Sequence, residues 1–357
     1  MSSPDSAPSD PGADPGADGT LSTDVVIVGA GPVGLFAVFE LGMLKMRAHL
    51  VDALDMAGGQ CAALYPEKPI YDIPGFPRIE AQQLIENLQA QITPFAPQYH
   101  LGEQVTALEA RPDGRRLVTT SAGTRIECAA VLIAAGAGAF GPNRPPLDGI
   151  EHYERSSVHY LVKRREDFRG KRIVIAGGGD SAVDWAVSLA EVAAQVMVVH
   201  RRPKFRAAPD MVARMQALAD DGRVEMVVPY QLAGLDGDPA TGRLSAVLVA
   251  TLEGETRRLE ADALLPFFGL AMNLGPIGDW GLDLDRNHLV VDPATCRTSA
   301  DGVYAVGDIV TYPGKLKLIL SGFSEAAMAA HDIYGRVYPD QALHFEYSTT
   351  KGLPGAG

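Results

Sequence analysis

The apolar run Val25–Val28 is followed by glycines at 29, 31 and 34, by an apolar segment from Leu35 to Leu44, and by a second apolar run, Ala48–Val51, that closes on Asp52. That order predicts a strand, a tight turn, a helix and a second strand ending in an acid. Residues 79–93 place Ile79, Leu84, Ile85, Leu88 and Ile92 at helical spacing, and short strands are expected around Val105, Leu117 and Ile126. Residues 131–140 read as a buried strand running into a glycine-rich turn. The opening pattern then repeats. Arg172–Ala176 predicts a strand, residues 177–182 form a G-x-G-x-x-A turn, Ala182–Ala194 a helix and Val196–Val199 the next strand. Near the end, 298–308 predicts a strand closing on Gly307-Asp308, and 315–334 a short strand and then a helix beginning near Gly322. Between these elements, 64–77 holds four prolines and two tyrosines and is expected to be a loop. Residues 1–20 have almost nothing apolar and are expected to be a disordered tail.

The repeat makes this an α/β chain with two Rossmann-like, three-layer dinucleotide-binding domains. The first is discontinuous, 21–144 plus 276–357, and the second is 145–275. In the first turn, Gly29 allows the sharp bend, Gly31 lets the backbone approach a pyrophosphate, and Gly34 lets helix and strand pack closely. The free N–H groups of the helix N-terminus suit the phosphates. Asp52 is placed to accept hydrogen bonds from a ribose diol. In the second turn, Gly177 and Gly179 with Asp180, Ser181 and Ala182 take the corresponding places, but the following strand ends in His200-Arg201-Arg202, with Arg206 four residues on. Arginine forks suit a 2′-phosphate, so the second nucleotide is expected to be NADPH. Two sites of different ribose chemistry imply a flavin and a nicotinamide in one chain. Asp308 is placed to bond a ribityl hydroxyl, and the helix after it could set its N-terminus under the electron-rich end of the flavin.

Length and composition agree. The chain has 357 residues, enough for two domains, with 46% apolar and 21% charged residues. No apolar run is long enough to span a bilayer, and no secretory signal is seen, so no membrane is expected. Cys61, Cys128 and Cys296 are scattered, without a metal-binding spacing, which suggests a reducing cytoplasm, buried thiols and no metal. The net charge is −13, of which −9 lies outside the tail, so no nucleic acid is expected as partner. An acidic partner would need a local basic patch. The candidates are Lys163, Arg164, Arg165, Arg169, Lys171 and Arg172, and, nearer the expected flavin, Lys315 and Lys317.

Three stretches carry a more specific resemblance: GGQCAALYPEKPIYDIPGFP, SSVHYLVKRREDFRGKRIVIAGGGDSAVDWA and KLKLILSGFSEA. Together with the two glycine turns, over nearly all of 24–352, the chain resembles the thioredoxin-reductase-type ferredoxin–NADP reductases. True thioredoxin reductases carry a redox C-x-x-C shortly before the second turn; residues 156–162 here hold no cysteine. The resemblance implies FAD in the first domain, NADPH in the second, ferredoxin or flavodoxin as electron partner, and a homodimer. It also implies individual contacts. Val33 would lie at the pyrophosphate turn, Asp52 on the adenosine ribose and Val105 against the adenine. Gln60 and Tyr65 would lie near the isoalloxazine, with Tyr65 stacked on one face and Tyr347 on the other, and Phe140, Asp308 and Thr349 would complete the pocket. No catalytic acid–base pair is expected, since the cofactors carry the chemistry. The alternatives are an NADPH-dependent reductase of quinones or other small acceptors, and a low-turnover flavin redox sensor.

Overall fold

A computed structural model of the chain describes residues 19–136, 138–154 and 156–343, without the side chains of 139–142 and 270–272. Most of the N-terminal tail, Tyr347 and Thr349 therefore lie outside the described residues, as does the side chain of Phe140. The chain divides into two compact units. The first comprises residues up to Ala63, Pro69–Ala139 and everything from Asn273 onward. The second comprises Leu64–Lys68 and Phe140–Met272. The short piece Leu64–Lys68, placed in the first domain on sequence, goes with the second unit.

The first unit is built on a five-stranded sheet in the order 303–305, 130–133, 25–28, 48–52, 98–101, parallel throughout. Because side chains alternate along a strand, Val26, Val28, Val51, Val131 and Ile133 share one face. They form a core with Val105, Val118 and Ile126 of the antiparallel strands Val105–Ala110, Arg116–Thr120 and Arg125–Cys128. The other face is covered by the helices Pro32–Met43, Ala81–Ile92 and Ile319–Val337, the first of which packs on both of the others. A parallel sheet covered on both faces requires such unbroken apolar strands.

The second unit repeats the plan with a parallel sheet in the order 224–227, 195–199, 172–176, 263–266. The helices Asp180–Leu189 and Pro209–Asp220 cover one face through Val183, Trp185, Leu189 and Met215. An antiparallel meander, 231–238, 243–250 and 256–260, packs on the other through Leu244, Val247, Val249 and Leu259.

Three expected elements differ. The strand expected over 298–308 is confined to Val303–Ala305, and Gly307–Ile309 form a 3-10 turn. The helix expected to reach Ala194 ends at Leu189, because the backbone of 192 and 194 bonds to the neighbouring segment instead: Gly170 N donates to Val192 O at 3.0 Å and Ala194 N to Lys171 O at 2.9 Å. The short strand expected from Lys315 pairs with nothing among the described residues, and the helix after it starts at Ile319, so Gly322 lies in its first turn.

One polar pair interrupts the first core. His49 and His100 sit on adjacent strands, both buried, with Nδ1 of His49 3.2 Å from Nε2 of His100. Burial, then the His100 and Arg47 charges, push His49 down to about 4; burial also lowers His100, with Glu103 opposing. The unfolded chain takes up these protons near pH 6.5, whereas the folded chain refuses them until pH is well below that value. Stability is therefore fully present above about pH 6.5 and falls as pH drops toward 4, by up to about 1.4 kcal/mol per pH unit for each excluded proton. Melting temperatures between pH 7 and 5, above the range where most carboxylates titrate, should show this slope, and His49→Gln should flatten it. A variant curve parallel to the parent would place the slope elsewhere.

Candidate functional site

In open parallel sheets, ligands lie beyond the carboxyl ends of the strands. In the first unit that edge gathers the turns after Val28, Val51, Ile133 and Ala305. Gly29 has φ +110°, and a Cβ there would stand 2.4 Å from Ala134 O; a Cβ on Gly34 would stand 2.0 Å from Gly29 O. These two are closed by packing. Gly31 has only Gly59 Cα near it, at 3.9 Å, so its open side can admit a ligand against the main chain. The helix Pro32–Met43 begins at this turn, with proline at its first position, where no N–H is needed.

Asp52 is tied to the same turn. Its Oδ2 accepts from Ala30 N at 2.6 Å and its Oδ1 from Leu54 N at 2.9 Å. Burial raises its carboxyl, and these two bonds pull it back. Each oxygen keeps a further lone pair for an incoming hydroxyl. Val33 packs toward Gly307 and Gly322: a Cβ on Gly322 would stand 2.4 Å from Val33 Cγ2. The starts of the first and last helices are thereby brought together beside Gly307-Asp308. Asp308 is exposed at this edge, yet the protein behind it raises its carboxyl, with Lys315 and Lys317 opposing. Gln60 lies in the short helix Gly59–Ala63, its Nε2 3.7 Å from where a Gly136 Cβ would be. The fit to an extended dinucleotide rests on this cradle: an open glycine face, an anchored carboxylate at one end and an exposed carboxylate at the other.

Two expected contacts are placed differently. The Val105 side chain is buried in the core of the first unit, so only its main chain could meet an adenine. Tyr65 belongs to the second unit, packed on its core, with Lys68 Nζ 5.7 Å from its ring centroid and Lys68 paired with Asp184 at 2.8 Å.

The second unit has its own edge. A Cβ on Gly178 would stand 2.2 Å from the His200 ring, and one on Gly177 2.6 Å from Phe267 O, while Gly179 has nothing within 4 Å. Segment 200–208 is folded onto this turn: Arg206 N donates to Gly178 O at 2.7 Å, and Ala208 N to Asp180 Oδ1 at 2.9 Å. Asp180 thus positions the arginine loop. Ser181 is exposed at the helix start and Ala182 buried beneath it. Arg201, Arg202 and Arg206 are all exposed, and none has a carboxylate partner among the described residues. Burial first, and then these three charges, keep His200 below the ordinary histidine range. Uncompensated guanidinium groups beside an open glycine turn are a site for phosphate.

The basic patches expected for an acidic partner are largely spent. Arg164 pairs with Asp167, Arg165 with Glu191, Arg169 with Glu166 and Arg172 with Asp262. Lys315 is buried against Glu325. Lys163, Lys171 and Lys317 have no carboxylate partner among the described residues, and Lys317 instead approaches Nε2 of His288 at 2.5 Å. Sequence reading also passed over Glu325, whose helical position gives no sign that it faces inward.

A polar cavity of about 760 Å³ lies elsewhere, between Arg297, Asp301, Tyr304 and Arg336. It sits at the amino end of strand 303–305, and its arginines are already paired with Asp332 and Asp301, so it does not serve as the dinucleotide site. No described helix is long and apolar enough to cross a membrane.

The family model of pyridine nucleotide-disulphide oxidoreductases matches residues 23–331. A ferredoxin–NADP reductase of Paramagnetospirillum magneticum is 66% identical over 332 residues, 93% of this chain and 98% of that one. Another of that name, from Rhodospirillum rubrum, is 61% identical over 339 residues, 94% and 97% of the two chains. Among solved structures, the thioredoxin reductase of T. acidophilum superposes with a TM-score of 0.78 at 25% identity, covering 88% of this chain and 98% of that one.

Proposed function

The chain belongs to the pyridine nucleotide-disulphide oxidoreductase family, and on that premise we propose that it is an FAD-dependent reductase carrying electrons between NADPH and ferredoxin. The observation that carries this reading is the contrast between the two cradles. One ends in an anchored acid, Asp52, and the other in three arginines without carboxylate partners. FAD, when bound, exchanges a hydride with NADPH and single electrons with an iron–sulfur partner. In this reading Gly31 and the helix start at Pro32 receive its pyrophosphate, beside Val33, and Asp52 receives its adenosine ribose. Asp308 receives a ribityl hydroxyl, and the Val105 main chain faces the adenine. By the resemblance, Gln60 lies near the ring, Tyr347 covers one face of it and Thr349 helps complete the pocket. Arg201, Arg202 and Arg206 grip the NADPH 2′-phosphate, with Gly179 and Ser181 at its pyrophosphate.

A dithiol relay has no support in these residues. Cys61, Cys128 and Cys296 are all buried, and burial pushes the Cys128 and Cys296 thiols up to about 12, so neither is a thiolate at neutral pH. Cytochrome c reduction by NADPH should therefore require added ferredoxin, and no thioredoxin-dependent disulfide reduction should appear. Equal rates with and without ferredoxin would favour a small acceptor. Flavodoxin could take the place of ferredoxin in the same assay. We extend the reading to a cytoplasmic homodimer; a mass near 37.8 kDa in light scattering would remove the dimer.

A further inference from the structure

We propose that Glu325 positions the flavin-facing turn Gly307-Asp308, with Lys315 and Tyr312 holding its carboxylate in place. This rests on the FAD reading above. Glu325 is in the second turn of the helix Ile319–Val337 and is 1% exposed. Its Oε2 accepts from Gly307 N at 2.7 Å, and its Oε1 from Tyr312 O–H at 2.6 Å and from Lys315 Nζ. The Lys315 ammonium also lies 5.6 Å from the Tyr312 ring centroid. The main chain joins in, as Glu325 O accepts from Cys296 Sγ–H at 3.5 Å. Three segments, around 296, 307 and 312–315, thus converge on one side chain.

Its placement matters more than its number of bonds. A buried ion pair is often no more stabilising than a well-packed apolar pair, so stability alone gives no reason for one here. What a carboxylate can do is hold a loop N–H by a charge-assisted bond. Gly307 has φ +81° and leads directly into Asp308, so fixing its N–H aims the Asp308 carboxylate. One turn earlier on the same helix, Gly322 packs against Val33 at the start of the first helix. The helix therefore registers both halves of the cradle: the pyrophosphate turn through Gly322 and the ribityl end through Glu325. Lys315 offsets the Glu325 charge, so the pair adds no net charge behind the Gly307-Asp308 turn.

The test uses the full chain, with FAD removed and then titrated back by fluorescence. The reduction potential of the bound flavin and the melting of the apoprotein are measured alongside. Glu325→Ala should raise the FAD dissociation constant about tenfold or more, through loss of the charged acceptor. Glu325→Gln keeps an acceptor for Gly307 N–H, so affinity should fall less than about threefold. It leaves the Lys315 charge uncompensated, so the potential should rise. A folded Glu325→Ala that binds FAD as the parent does overturns the proposal. Should Glu325→Ala not fold, Glu325→Gln decides alone: an unmoved potential overturns the proposal and a raised one supports it. If the parent apoprotein takes up no FAD, the cofactor reading itself fails, and this proposal with it.

Discussion

Replacing Arg201 and Arg206 together by alanine should weaken NADPH binding about a hundredfold or more and leave NADH binding within about threefold, since each charge-assisted bond is worth roughly 1.5–3 kcal/mol. The two nucleotides differ only at the 2′ position, so the ratio of their dissociation constants isolates the phosphate contacts. The structure makes these side chains separable from the fold. Both are exposed and have no carboxylate partner among the described residues. The tie that Arg206 does make to the glycine turn is through its main chain, Arg206 N to Gly178 O at 2.7 Å, and an alanine keeps it. Asp180 likewise continues to hold Ala208 N. Titration of nicotinamide nucleotides into the oxidised enzyme reads both constants. A variant that loses affinity for both equally, with lowered melting, would point to a folding defect of the loop instead. A variant that keeps full NADPH affinity would move the 2′-phosphate away from this loop.

Much of this site was legible in the sequence because glycine spacing and strand ends are local signals. The G-x-G-x-x-G turn, Asp52 eighteen residues beyond it, and the arginines after Val199 all follow from short-range order, and the structure brings each group to the carboxyl edge of its own sheet. What local signals cannot supply is partnership. Arg172 looks like part of a basic stretch, yet Asp262, ninety residues on, takes its guanidinium at 2.8 Å. Lys315 alternates with exposed Leu316 and Leu318 and reads as a surface charge, whereas its ammonium turns inward. Glu325 is one acid in an otherwise small and apolar helix stretch, and only the loop folded over it reveals its use. The short strand expected from Lys315 failed for a related reason. Its alternation is real, but the inward partner of Lys315 is a helix side chain, and no neighbouring strand among the described residues supplies ladder bonds. The Val105 expectation shows a further limit: a residue named for a ligand contact can have its side chain spent in the core.

Lys315→Met should lower the stability of the protein by about 3–5 kcal/mol, the range for removing one partner of a buried ion pair. The neighbouring Lys317→Met should change it by less than about 0.5 kcal/mol, as an exposed substitution does. The two lysines are two residues apart and look equivalent in sequence. Their surroundings differ, since the Lys315 side chain is 5% exposed and bonded to a carboxylate that is itself 1% exposed, whereas Lys317 is exposed and meets a histidine nitrogen. Without the ammonium, Glu325 would be left with the Gly307 N–H and the Tyr312 O–H as donors, and with its charge buried and uncompensated. The double change, Lys315→Met with Glu325→Met, removes both charges, so it should recover part of the loss even though it frees Gly307 N–H. Urea unfolding of the four proteins gives the comparison. A Lys315→Met protein as stable as its parent would mean that the pair is not buried in solution, and Lys315 would return as a surface charge available to an acidic electron partner. Loss of stability confined to Lys315 would leave Lys317 as the residue to test in ferredoxin docking. There Lys317→Glu should raise the apparent KM for ferredoxin, more so at low salt, without slowing flavin reduction by NADPH.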